Sequence, residues 1–401
     1  MADTPSTPGR LRQLAAIFWL FLSLGCTSFG GPVAHIAYFR QAFVRQRGWL
    51  SEQQFADLLA LCQFMPGPAS SQLGLAMGWL RGGYAGALVA WLGFTLPSAL
   101  LLIAFALGLQ HWQGVALDGA IHGLKITAVA VVVQAVWQMA RQFCRRLPAV
   151  LLMAAAALAV LLLPGFAVQI GVLLTAALLG IWLLPAAAVP QQDSLPAVSN
   201  KKTAVLWLAL FLLLLLGLPW MATAQPAGLL ALADAFYCTG ALVFGGGHVV
   251  LPVLQTQTVP LWLDENLFLA GYGAAQAVPG PLFTLAAFVG AAAQPEQPWL
   301  WGLTALAAIF LPSFLMVFGL LPFWSSLARY PRARAMLNGI NAAVVGILLA
   351  ALYHPVWTSS IRDATDVLWA GLVLMVLLWG RLPVWLLVLL SAVAGMLYYR
   401  N

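Results

Sequence analysis

The stretch LALCQFMPGPASSQLGLAMGWL, residues 59–80, decides how this chain folds, because apolar sequence flanks a Pro-Gly-Pro motif at 66–68. A second copy lies at 276–281, where QAVPGP repeats the QFMPGP of residues 63–68. A proline inside a helix lacks an N–H donor, and its ring clashes with the preceding turn. Each motif therefore predicts two short helices joined at a sharp break. Lipid tolerates such a break only where protein or water covers the freed backbone groups, so each break is a candidate functional site.

Composition indicates that these breaks lie in a membrane. The 401 residues are 63% hydrophobic and only 7% charged, whereas soluble domains are about one quarter charged. Apolar blocks of membrane-spanning length recur from residue 14 to residue 399, which predicts an all-α polytopic membrane protein. The net charge of +7 falls in short loops, where it sets topology, so no nucleic-acid partner is expected. The four cysteines show no metal-ligand spacing, and we expect no metal and no cofactor.

An internal repeat divides the chain into two halves. Phe29-Gly30-Gly31 recurs as Phe244-Gly245-Gly246, and the Leu-Pro-Ser of 96–98 recurs at 311–313, both at an offset of 215 residues. Matches in the same order at a nearly constant offset predict two homologous halves. The predicted units are an N-terminal transporter repeat at 1–185, a cytoplasmic linker at 186–202, an inverting transmembrane helix at 203–226 and a C-terminal transporter repeat at 227–401.

Charge predicts that the two halves have opposite orientations. Arg40, Arg45 and Arg47 follow the first Gly-Gly break, whereas the equivalent stretch of the second half has no Lys or Arg but contains Asp264 and Glu265. Under the positive-inside rule these stretches face opposite sides of the membrane, which is the inverted-topology repeat typical of secondary transporters. If the Gly-Gly and Pro-Gly-Pro segments are re-entrant hairpins, the remaining basic loops all face the cytoplasm; these contain Arg141, Arg145, Arg146, Lys201, Lys202, Arg329, Arg332, Arg334 and Arg381.

The return arm of each Pro-Gly-Pro hairpin is suited to binding an anion. Its first amides have no intrahelical partner, and the helix dipole places partial positive charge there. Ser70, Ser71 and Gln72 add side-chain donors in the first half, and Thr284 adds one in the second. The alternative is that these glycines and prolines merely allow close packing of membrane helices.

Lys125 is a second kind of candidate, because it stands in the first third of a predicted span, where a cation is costly and indicates function. We expect it to bind the anion and to couple protonation to transport, with His122 on the same helix face able to share the proton. The alternative is that Lys125 extends to the membrane interface. Its equivalent in the repeat is Asn341, and His35 and His248 each follow a glycine break.

The candidate substrate-binding residues share a position at a break, at a return arm or at this buried cation. They are Gly30, Gly31, Pro32, Gln63, Pro66, Gly67, Pro68, Ser70, Ser71, Lys125, Gly245, Gly246, Gly247, His248, Gln276, Pro279, Gly280, Pro281, Thr284 and Asn341.

Two other functional classes compete with a carrier. An intramembrane enzyme is disfavoured, because the sequence shows no metal-spaced cluster, no Gly-rich phosphate loop and no evident nucleophile-base pair. We therefore predict that the chain is not an enzyme. An anion channel remains an alternative, since inverted repeats with paired hairpins occur in channels as well as in carriers.

The paired motifs resemble those of the chromate ion transporter family, in particular its long-chain, two-domain bacterial type. The resemblance covers residues 12–140 and 230–350 and rests on FGGPVAH at 29–35, FGGG at 244–247 and the two Gln-x-x-Pro-Gly-Pro motifs. It implies an antiporter that exports chromate from the cytoplasm across the bacterial inner membrane and confers chromate resistance. The residues alone support a carrier for a small anion, so sulfate, which is also a tetrahedral dianion, remains an alternative substrate. The expected partners are this oxyanion, the lipid bilayer and, in a homodimer, a second copy of the chain.

Overall fold

The computed structural model describes residues 9–111, 114–184, 200–324, 330–380 and 382–398, and within these ranges the chain forms helices and no strands. Six of the described helices are long and apolar enough to cross a membrane by length and composition. Large apolar side chains cover much of the outer surface, as Leu212, Leu213 and Leu216 show on one helix. An apolar surface of this extent fits contact with lipid. The prediction of an all-α, multi-pass membrane protein is therefore confirmed.

The described part of the first half forms seven α-helices. In chain order they are α1 (Arg10–Thr27), α2 (Gly31–Phe39), α3 (Glu52–Phe64), α4 (Ala69–His111), α5 (Val115–Phe143), α6 (Leu147–Leu162) and α7 (Phe166–Leu183). A π-helix, Arg40–Gln46, extends α2. α3 begins at a capping box, in which the Ser51 hydroxyl accepts the Gln54 N–H and the Gln54 side chain accepts the Ser51 N–H.

The second half follows one additional helix. The remaining helices are α8 (Lys201–Ala222), α9 (Leu229–Leu242), α10 (Val250–Thr258), α11 (Glu265–Ala277), α12 (Leu285–Ala293), α13 (Pro298–Leu320), α14 (Pro331–Ala351), α15 (Ala364–Trp379) and α16 (Val384–Tyr398). The predicted linker falls mostly on 185–199, which lie outside the described residues, as do Arg329 and Arg381.

Each of the seven α-helices described in the first half has a counterpart in the second half, in the same order. α1, α2 and α3 correspond to α9, α10 and α11, the two parts of α4 correspond to α12 and α13, and α5, α6 and α7 correspond to α14, α15 and α16. In both halves the chain leaves the helical conformation at the Gly-Gly and Pro-Gly-Pro motifs. The prediction of two homologous halves with broken helices at these motifs is confirmed.

The glycine of each Pro-Gly-Pro motif adopts a conformation that L side chains rarely take. Gly67 has φ +115° and Gly280 has φ +103°. Glycine populates this region because it has no Cβ, and the prolines on either side prevent either helix from continuing through the turn. Helix α3 therefore ends at Phe64, and α4 begins at Ala69.

The return arm predicted at 69–80 is the first part of α4, and it turns back on itself. Backbone angles leave the helical region at Gly82 and Gly83, where φ of Gly83 is +63°. A Cβ at Gly78 would lie 2.5 Å from the carbonyl oxygen of Gly86, so the segments before and after the bend pack backbone to backbone. The long span 84–111 thus begins next to the end of the return arm.

The last helices of each half pack against the other half. A Cβ at Gly123 on α5 would lie 2.0 Å from the Ser391 carbonyl oxygen on α16, and a Cβ at Gly339 on α14 would lie 2.0 Å from the Ala176 carbonyl oxygen on α7. Gly123 and Gly339 are equivalent positions of the repeat, as are Ala176 and Ser391. The last helix of each half therefore packs on an equivalent helix of the other half, and the two halves are interlocked.

Candidate functional site

The two Pro-Gly-Pro tips lie against the middle of long helices from the opposite half. A Cβ at Gly67 would be 2.8 Å from Ser313 Oγ on α13, and a Cβ at Gly280 would be 2.9 Å from Ser98 Oγ on α4. Ser98 lies about 20 Å from each end of the segment 84–111, taking about 1.5 Å per residue. Ser313 lies about 22 Å from the beginning of α13 and about 10 Å from its end, so the Gly67 tip also lies inside a long span.

Backbone hydrogen bonds connect each Pro-Gly-Pro tip to the glycine break of the other half. The Gly67 N–H donates to the Val243 carbonyl oxygen at 2.6 Å, and the Gly280 N–H donates to the Ser28 carbonyl oxygen at 3.0 Å. Val243 and Ser28 each end the helix that precedes a Gly-Gly break. These bonds satisfy buried backbone groups that a broken helix leaves without partners. They also show that the repeat persists in the contacts as well as in the sequence.

The two glycine breaks also meet one another. A Cβ at Gly247 would lie 3.3 Å from Pro32 Cγ and 3.6 Å from the Leu282 Cβ. Pro32 belongs to the first glycine break, and Leu282 follows the second Pro-Gly-Pro motif. All four breaks that the sequence predicted therefore converge at one place.

In the first half, polar side chains surround this convergence. His35 is 1% exposed, and its Nε2 lies 3.1 Å from the Ser28 carbonyl oxygen, to which it must donate. In a neutral ring Nδ1 is then the acceptor, and the Ser70 hydroxyl donates to it at 3.4 Å. The Gln72 amide donates to the Pro66 carbonyl oxygen and reaches Ser313 Oγ at 3.4 Å. His35 and Gln72 thus hold the first hairpin tip in place.

Two buried hydroxyl groups at this location have no partner among the described residues. These are Ser71 Oγ, in the first turn of α4, and Ser28 Oγ, beside the glycine break. Their residues are 5% and 0% exposed. Buried hydroxyl groups are normally hydrogen-bonded, so these two donors are available to a bound group. Ser71 also lies in the first turn of α4, where the amides have no intrahelical partner.

The second half presents a different set of groups. His248 Nδ1 lies 2.9 Å from the Tyr272 hydroxyl, and the Thr284 hydroxyl donates to the Pro281 carbonyl oxygen at 2.7 Å. Thr284 therefore closes the turn after Pro281. The Gln276 amide nitrogen is buried and has no hydrogen-bond partner in the described part of the chain, and Asn341 Oδ1 lies 3.5 Å from the Cβ position of Gly245.

The two hairpins differ in how far they are covered. On α3 the side chains of Gln53, Ala56 and Gln63 are exposed along one face. On α11 the equivalent of Ala56 is Leu269, which is 0% exposed, and the equivalent of Gln63, Gln276, is partly buried. One face of α3 is thus exposed, whereas other helices cover the equivalent face of α11.

Lys125 lies at the base of the second hairpin, away from the breaks. Its Nζ donates to Asn266 Oδ1 at 2.6 Å and to the Ser359 carbonyl oxygen. Asn266 is the second residue of α11, and Gln276 follows about 15 Å further along that helix. One turn before Lys125, His122 pairs with Asp366. The structure therefore brings the glycine and proline positions together but does not bring Lys125 to them.

Sequence reasoning missed several residues of this site. Ser98 and Ser313 belong to the repeated Leu-Pro-Ser motif, which the repeat analysis found without assigning it a role. Ser28 and Tyr272 carried no signal of their own, because they become important only through their contacts with the glycine breaks. No group of three or more metal-ligating side chains occurs in the part of the chain that the structure describes.

Comparisons with known proteins agree with this arrangement. The sequence model of the family described as "Chromate transporter" matches the chain twice, at residues 15–181 and 230–396. A "Probable chromate transport protein" of Synechococcus elongatus is 26% identical over 97% of this chain and 96% of its own length. A "Chromate transport protein" of Pseudomonas aeruginosa is 28% identical over 96% and 92%, and one of Cupriavidus metallidurans is 24% identical over 97% and 93%. No solved structure matches the chain.

Proposed function

Because the chain belongs to the chromate transporter family, we propose that it is a secondary transporter that exports chromate from the cytoplasm across the bacterial inner membrane. The observation that carries this proposal is the convergence of four helix breaks at mid-span. Gly67 and Gly280 each donate a backbone hydrogen bond to the opposite half there. Substrate sites of secondary transporters lie near the membrane midplane, at the interface between repeats, and are formed by discontinuous helices.

The groups at the convergence are suited to a tetrahedral dianion. Helix α4 begins immediately after the first Pro-Gly-Pro motif, so its dipole and free amides are directed at the site. The Ser71 and Ser28 hydroxyl groups supply two more donors. Neutral donors of this kind bind an anion without leaving buried positive charge when the site is empty. Hydroxyl and amide donors do not discriminate chromate from sulfate, so sulfate remains a competing substrate in the test below.

Charges on the two hairpins support opposite orientations in the membrane. At the base of the first hairpin, Arg81 lies 4.9 Å over the Trp49 ring, and Gln13 donates to the Arg81 carbonyl oxygen. The base of the second hairpin carries Asp264 and Glu265. The tips of the two hairpins meet. A positively charged end on the first hairpin and a negatively charged end on the second therefore fit hairpins that enter the membrane from the cytoplasmic and the outer face respectively. The uneven cover of α3 and α11 then fits a carrier that opens toward one face at a time.

The test is transport by the purified protein in liposomes. With chromate loaded on one side, we expect uptake or efflux that saturates with chromate concentration and accelerates when unlabelled chromate is present on the opposite side. Inhibition by excess sulfate, followed by direct sulfate uptake, would identify a broader oxyanion carrier. Single-channel currents in place of saturable exchange would identify an anion channel and contradict the carrier. Liposomes without protein provide the background rate.

A further inference from the structure

A buried histidine–aspartate pair connects the two halves at the base of the second hairpin. His122 Nε2 on α5 lies 2.8 Å from Asp366 Oδ1 on α15, and the two side chains are 2% and 6% exposed. The second carboxylate oxygen of Asp366 accepts the Arg362 N–H at 2.8 Å. The pair is about 244 residues apart in sequence, so sequence spacing gave no indication of it.

Charged groups from each neighbouring element surround this pair. Lys125 lies one turn further along α5, and Asp264 and Glu265 stand at the start of α11. Arg362 and Asp363 precede α15. Helix α16 packs on this part of α5 through Ser391 and Gly395. His354 lies in the π-helix Leu352–Trp357 after α14 and forms a hydrogen bond with the Thr358 hydroxyl.

The internal repeat does not reproduce this pair. The counterpart of His122 is Asn338, and the counterpart of Asp366 is Leu151, in helices that occupy equivalent places. Asn338 is exposed, and Leu151 is 59% exposed. The equivalent positions of the other half therefore form no buried pair. A buried ion pair is seldom more stable than an apolar pair, so its presence in one half alone indicates a function.

The pair has the chemistry of a site for a single exchangeable proton. Imidazolium beside carboxylate is neutral overall, and loss of one proton leaves a net charge of −1 in a buried place. Such a charge is costly unless a nearby group changes with it. Histidine exchanges its proton in the physiological range more readily than any other side chain.

We propose that the His122–Asp366 pair is the proton-binding site that couples proton movement to anion transport. One proton enters the pair from water at one face and leaves to water at the other, while the anion crosses at the helix breaks. Lys125 communicates the charge of the pair to the hairpin, because it lies one turn away and holds Asn266 at the start of α11. This inference rests on the proposed anion transport, and the following experiment separates the two.

The experiment measures two rates in the same liposomes. Chromate counterflow, with chromate on both sides, needs no net proton movement and reports the anion site alone. Chromate-dependent pH change, followed with an internal pH dye, reports coupling. The test variant is His122→Asn with Asp366→Asn, because two amides keep a hydrogen bond between α5 and α15 without a titratable group. The matched control is Asp363→Asn. The Asp366 and Thr365 N–H groups bond Asp363 and lower the pKa of its carboxyl group, so it stays ionised.

We expect the double variant to keep counterflow within about twofold of the wild type and to lose chromate-dependent pH change at least tenfold, whereas Asp363→Asn keeps both. Wild-type pH change in the double variant, or no pH change in wild-type protein that performs counterflow, overturns the inference and leaves the proposed function intact. Absence of counterflow in wild-type protein overturns the proposed function itself. If the double variant loses counterflow, the single variant Asp366→Asn is measured, because its amide oxygen still accepts the Arg362 N–H. Loss of counterflow in that variant too assigns the pair a structural role and overturns the inference.

Discussion

At the scale of single residues, the glycine of each Pro-Gly-Pro motif is the residue that no other can replace. The Pro-Gly-Pro glycines combine a positive φ with a close approach to a serine hydroxyl of the opposite half. The sequence predicted the position of each break, because few other residue patterns stop a helix so sharply. It could not predict that Ser98 faces Gly280, since that contact depends on how the two halves come together.

Gly280→Ala tests this close approach. The new Cβ would lie 2.9 Å from Ser98 Oγ at a backbone φ of +103°, so both strain and steric overlap act on the variant. Gly83→Ala provides the control, because Gly83 has φ +63° but no atom within 4 Å of its Cβ position. We expect a markedly larger fall in the melting temperature of the purified protein for Gly280→Ala than for Gly83→Ala. Equal falls would show that the tip does not pack against α4 as described.

At the scale of elements, the sequence predicts the hairpins but does not predict how the last helix of each half packs on the other half. Hairpin boundaries were readable from the Gly and Pro motifs, and the long spans were readable from apolar length. The packing of α7 on α14 and of α16 on α5 was not readable, because small residues such as Gly180 and Gly339 occur throughout membrane helices. Lys125 shows the same limit, since its position within a span did not reveal that it contacts Asn266.

Gly339→Ala tests the packing of α7 on α14. The added methyl group would lie 2.0 Å from the Ala176 carbonyl oxygen, and a helix pair in contact through backbone atoms must separate to admit it. We expect a lower melting temperature and reduced yield of folded protein from detergent extracts. Gly171→Ala, at an exposed position on α7, meets no atom within 4 Å and should leave both unchanged. A Gly339→Ala protein as stable as Gly171→Ala would contradict the interlocked arrangement.

At the scale of the whole molecule, the internal repeat was the feature that the sequence indicated most clearly. Offsets of 213 to 215 residues between matched motifs correspond to matched helices and to reciprocal hydrogen bonds at Gly67 and Gly280. The departures from symmetry were less visible. The exposed face of α3 and the single His122–Asp366 pair depend on contacts between residues that are far apart in sequence, so only the structure reveals them.

Cysteine labelling tests the proposed inverted orientation. In a chain without its native cysteines, Arg45→Cys and Asp264→Cys should react with an impermeant thiol reagent from opposite faces of the membrane, because the two hairpins carry opposite charge. Labelling is measured in intact cells and in inverted vesicles. Reaction of both positions from the same face would contradict the inverted repeat.

Binding of chromate to the purified protein tests the central claim, that the four helix breaks form an anion site. Equilibrium dialysis of wild-type protein should give saturable binding. The double variant Ser70→Ala with Ser71→Ala should bind more than tenfold more weakly, since one hydrogen bond to a charged group contributes about 1.5–3 kcal/mol. Ser23→Ala, at an exposed position on α1, should bind as the wild type does. Chromate affinity in the double variant equal to that of wild-type protein would contradict the assignment of the site to these breaks.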